Sequence, residues 1–125
     1  MAALTANRNT KRRDGELFGL EAAQTIYAGA MVALNAGGRA VPATAAGGPC
    51  VGVARHQADA GEPVLVRRGV FGLADAADDA ALTRADIGST VYVADDQTVK
   101  KKNSGTDAVA GIVMDVDAEG VWVKI

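Results

Sequence analysis

Cys50 and His56 are the only cysteine and the only histidine of the chain, so a thiol beside an imidazole is the first nucleophile and base pair to test. If residues 50–56 run as one extended strand, at about 3.3 Å per residue the two side chains lie ~20 Å apart and cannot form a dyad. Cys50 then reads as a small buried hydrophobe and His56 as an exposed loop residue. One cysteine with one histidine falls short of a zinc ligand set, and a lone cysteine forms no internal disulfide.

The carboxylates offer two other patterns. Asp115, Asp117, Glu119 and Gly120 resemble the opening of a calcium loop, but its twelfth position would be residue 126, beyond the chain, and the flanks read as strands where that loop needs helices. A plain acidic hairpin turn is the expectation. Asp75, Asp78 and Asp79 resemble a hydrolase's paired acids, yet no pocket-forming aromatic lies near them, and a solvated acidic face accounts for them. The chain contains no G-x-x-x-x-G-K-[ST], G-x-S-x-G or G-x-G-x-x-G segment, so nucleotide-binding and esterase chemistry have no foothold. Lys100, Lys101 and Lys102 could contact phosphates, but three lysines beside a turn read first as a solvated rim or edge-strand protection. The aromatics Phe18, Tyr27, Phe71, Tyr92 and Trp122 are scattered singly and make no stacking platform. No catalytic residue, metal or cofactor is expected, and the chain is not expected to be an enzyme.

The elements that carry these residues fit one small domain with a tail, at 125 residues. The chain is 49% hydrophobic but only 4% aromatic, so its core must be built from Val, Leu and Ala. Fifteen glycines against three prolines suit a small all-β domain with many turns. Charge is uneven. Arg8, Lys11, Arg12 and Arg13 against Asp14 give the first fourteen residues a local +3, so the overall −2 leaves −5 on the remainder. An acidic body with a basic arm is a poor general nucleic-acid binder, because phosphate affinity needs a dense basic face. No stretch approaches the ~18 apolar residues of a membrane helix, and the polar run Asn7 to Asp14 excludes a signal-peptide core from the N-terminus.

Residues 1–20 read as an extended arm, with Leu17, Phe18 and Leu20 as its anchor on a β-rich domain over 21–125. Strands are expected over 25–34, 39–41, 50–54, 64–73, 90–94, 98–102, 109–116 and 121–125, with one or two helical turns over 75–86. In the last strand Val121, Val123 and Ile125 share one face, opposite Trp122 and Lys124. This spacing predicts a small β-sandwich or partly open β-barrel with an extended N-terminal arm and at most one short helix.

Taken in series, residues 25–43, 51–54, 64–71, 87–93 and 110–113 resemble the successive blocks of tailed-phage capsid cement, or head decoration, proteins. Each block is a hydrophobic strand followed by a glycine turn, and the likeness lies in their order and spacing over about residues 20 to 125. The resemblance implies a structural virion protein on the outer capsid surface, made in the host bacterial cytoplasm. It also implies a homotrimer that strengthens the shell through the major capsid protein. The arm residues Arg8, Lys11, Arg12, Arg13, Leu17, Phe18 and Leu20 are the candidate capsid-binding set. The alternative is a small nucleic-acid-binding β-barrel, which requires the arm and Lys100 to Lys102 to fall on one continuous basic face. A small hydrolase would have to rest on Cys50 and His56.

Overall fold

A computed structural model describes residues 2–8, 17–101 and 105–125. Among them ten strands fall into two groups that divide the chain in sequence order. β1 (Leu17–Glu21), β2 (Met31–Leu34), β3 (Ala40–Pro42), β4 (Gly52–Ala54) and β5 (Pro63–Arg67) form an antiparallel sheet ordered β1-β5-β4-β2-β3. β6 (Val70–Asp75), β7 (Thr90–Val93), β8 (Thr98–Lys100), β9 (Val109–Asp117) and β10 (Gly120–Lys124) close into a barrel ordered β10-β6-β8-β7-β9. Only the β6–β8 pair is parallel. The all-β expectation holds.

Alternation along the strands sorts side chains into two cores. Val91, Val93, Val99, Val113, Val121 and Val123 fill the barrel, each fully buried and each contributing about 1.5–3 kcal/mol of transfer free energy. Met31, Ala33 and Val53 on one face of the first sheet belong to the same core. Val32, Ala54, Val64 and Val66 point the other way, into a second core with Ala22, Ile26 and Ala58 that Phe18 and Leu20 partly cover. Just past β1, Ala22 bridges Ala40 of β3, so the two edges of this open sheet meet at one end. Backbone bonds join the halves: Met31 N–H to the Asp96 carbonyl (2.7 Å), Cys50 N–H to Val109 (2.9 Å) and Ala108 N–H to Ala45 (2.9 Å).

Three expected boundaries shift. Of residues 25–34 only Met31–Leu34 is strand; the chain turns at Tyr27–Ala30, where Ala30 N–H bonds the Tyr27 carbonyl, and Ile26 keeps a single bridge to Ala58. The expected strand over 64–73 is two strands in different sheets, because Gly69, at φ +154°, lets the chain leave one ladder and enter the other. The helical turns over 75–86 are two separate 3₁₀ turns, Asp78–Ala80 and Arg84–Asp86, the second closed by a capping box between Thr83 and Asp86.

Candidate functional site

The residues best suited to chemistry are each committed to local structure. Cys50 packs against the barrel core and its thiol donates to the Gly52 carbonyl at 3.3 Å. Burial pushes that thiol's pKa up, away from the reactive thiolate. His56 Nε2 accepts the Leu65 N–H at 3.1 Å while Nδ1 lies 3.0 Å from the Gln57 carbonyl, so the ring carries its proton on Nδ1 and bridges the β4–β5 connection. The thiol and the imidazole serve different partners.

The acidic groups are likewise braces. Asp115 accepts Arg84 Nη1 and the Val116 N–H, each at 2.8 Å, and Arg84 also reaches the Val116 carbonyl at 2.9 Å. Asp117 accepts Trp122 Nε1 at 2.9 Å and the Glu119 N–H at 2.8 Å, which holds its carboxyl below the usual range, the indole being the larger cause. Asp75 accepts the Leu82 N–H at 2.9 Å. Among the described residues no group of three or more His, Cys, Asp or Glu is placed to hold a metal ion.

The lysine run is neutralised where it is described. Lys100 pairs with Asp107 at 3.0 Å, and Lys101 with Asp86 at 3.7 Å. The Thr83 backbone N–H, and to a smaller extent Lys101, keep the Asp86 carboxyl below its usual range. Lys102 lies outside the described residues. A lysine held by a carboxylate contributes little to a phosphate-binding face, so Lys100 and Lys101 add little to a basic surface.

Of the candidate arm residues, Arg8 is exposed, whereas Lys11, Arg12 and Arg13 lie outside the described residues. Leu17, Phe18 and Leu20 are strand residues of β1 at the sheet's edge. Phe18 and Leu20 turn into the second core opposite Val66 and Val64, and Leu17 stands on the other face opposite Arg67. The Arg68 guanidinium lies 5.0 Å from the centre of the Phe18 ring, in cation–π range. The anchor therefore sits within the body's own sheet.

β1 leaves one edge open. The Leu65 carbonyl accepts from Arg55 N–H, toward β4, so by antiparallel alternation Val64 and Val66 bond β1 through Leu20 and Phe18. The backbone groups of Leu17 and Gly19 then point outward, and among the described residues no strand pairs with them, whereas at Glu21 the Ala22–Ala40 bridge brings β3 alongside. At the opposite edge, β3 is guarded by Pro42 and by Ala23, whose N–H bonds the Ala40 carbonyl. Sequence patterning placed an anchor at residues 17–20 but carried no signal for an unguarded strand edge.

No curated protein and no solved structure matches this chain. A family model described as phage cement protein matches residues 21–124, which takes in both cores and every strand but most of β1. The blocks that resembled cement proteins in the sequence all fall within that match, and the chain belongs to the phage cement protein family.

Proposed function

We propose that this capsid structural protein binds the outer surface of the phage shell and stabilises it, with the major capsid protein as its partner and a homotrimer as its working form. The observation that carries the reading is the family match over residues 21–124. The N-terminal arm makes the contact: Arg8, Lys11, Arg12 and Arg13 face acidic groups on the shell, and Leu17, Phe18 and Leu20 seat the arm on the body through β1. The β1 edge at Leu17 and Gly19, which no strand pairs among the described residues, supports this assignment, because an edge strand can take up a neighbour's extended segment while the arm's cations supply attraction. Each exposed ion pair is worth only ~0–1 kcal/mol, so the cations act together and salt weakens them. Synthesis in the host cytoplasm and assembly onto finished shells complete the reading.

The test is a chain beginning at Glu16 added to undecorated capsids. It retains β1 and both cores, so it should fold with unchanged circular dichroism, and it should bind shells much more weakly than the full chain at physiological salt. Equal decoration by the shortened chain would remove the arm from the interface.

A further inference from the structure

Val70, Lys124, Ile112 and Thr90 lie in one register row across β6, β10, β9 and β7 on the barrel's outside, beside a second row of Gly72, Trp122 and Asp115. Val70, Ile112 and Met114 are 47%, 46% and 46% exposed, and Met114 stands out where the β9–β10 register shifts. Trp122 is 36% exposed, with its ring laid over Gly72 and its indole N–H fixed by Asp117. Beside it opens a groove of about 330 Å³ that reaches Glu119. Trp and Met on a preset apolar face are the residue types that dominate the centres of protein interfaces.

Charge at the ends of β10 indicates what covers this face. Among the described residues the side-chain ammonium of Lys124 has no carboxylate partner, and the carboxylate of Glu119 has no cation. The two stand at opposite ends of β10, five residues or roughly 16 Å apart along the strand. A partner with a field of one sign would satisfy one end and repel the other. Copies of this face satisfy both in a closed ring, where each copy's Lys124 end meets one neighbour's Glu119 end and its Glu119 end meets the other neighbour's Lys124 end. We propose that the outer face of β6, β10 and β9 is the contact between copies of this chain, with Trp122 and Met114 between its two charged ends and Val70 and Ile112 flanking Lys124. The inference rests on the reading of the chain as a self-associating capsid protein and names the surface that carries the association.

Sedimentation equilibrium of the full chain tests it. The wild type should sediment at a multiple of its 12.7 kDa mass, with three copies expected. Ile112→Asp and Met114→Asp, at exposed positions that leave circular dichroism unchanged, should each weaken association by about tenfold or more, the first by neutralising Lys124 across the strand pair and the second by placing a charge on the apolar face. Lys124→Glu and Glu119→Lys should each weaken it, and the double reversal should restore it. Association by the Asp variants as tight as wild type, or a double reversal no better than the singles, overturns this surface while leaving self-association standing. A wild type that remains monomeric at about 100 µM overturns the surface and the self-association together. Binding of the wild type to undecorated capsids is scored separately, so a protein that associates but ignores shells refutes the capsid reading alone.

Discussion

Gly111→Ala is the sharpest test of how the barrel closes. Gly111 pairs with Val91 of β7 on one side, and β10 runs along the other. A Cβ at this position would overlap the Lys124 carbonyl oxygen and lie 2.9 Å from Val123 Cγ1. The nearest obstacle is backbone, which cannot rotate away, and a closed barrel cannot widen at one seam without straining the next. Overpacking of this kind costs about 1–3 kcal/mol. Taking ~2 kcal/mol against a total of roughly 6–19 kcal/mol for a chain of this length, the folded-to-unfolded ratio falls about thirtyfold. At ~4 °C per kcal/mol for a domain of this size, the melting temperature should drop by about 8 °C. The control is Gly19→Ala on β1, where the nearest atom, Leu65 Cδ2, is 4.0 Å from the new methyl. Alanine should raise stability there by about 0.5 kcal/mol by restricting the unfolded chain. Thermal and urea denaturation followed by circular dichroism give both signs. A Gly111→Ala protein that melts at or above wild type would show that the seam has slack and that this reasoning is wrong.

Trp122 is the only tryptophan, so its fluorescence reports the Asp117 contact directly. Because the folded-state pKa of Asp117 lies below its usual value of 3.8, the stabilisation is complete at neutral pH and is lost as pH falls through the depressed value. Emission should hold steady down to about pH 4 and change below it, Asp117→Asn should abolish the acid step, and a midpoint above about pH 5 would contradict the assignment. Cys50, whose thiol is pushed upward by burial, should react with Ellman's reagent at pH 8 at least about tenfold more slowly than free cysteine, and at the free rate once guanidinium unfolds the chain. A fast native reaction would place the thiol at the surface.

The β9–β10 hairpin was legible in the sequence because apolar runs over 109–116 and 121–125 flank the four-residue acidic stretch ending in Gly120, which can supply a left-handed turn position. The break at Arg68–Gly69 was not. Apolar residues continue through Val64, Val66, Val70 and Leu73, and alternation records which side of a strand is buried without recording which sheet buries it. β1 was read as an anchor because Leu17, Phe18 and Leu20 resemble a short apolar clasp, and its pairing partner β5 lies more than forty residues away. The outward set on the barrel was half visible. Alternation put Trp122 opposite Val121 and Val123, but only the register of three strands brings Val70 and Ile112 into its neighbourhood.

Every strand ladder closes either within residues 17–67 or within residues 70–124, and the order of synthesis gives that division a cost. The first sheet has all its strands once residue 67 has left the ribosome, more than fifty residues before β10 can close the barrel. At ~5–20 residues per second that interval is roughly 3–12 s. Throughout it the face carrying Met31, Ala33 and Val53, which belongs to the barrel core in the finished protein, has nothing to pack against. A first sheet that forms as it emerges would present this uncovered apolar side for those seconds, and slowed translation of the second half would lengthen its exposure to aggregation.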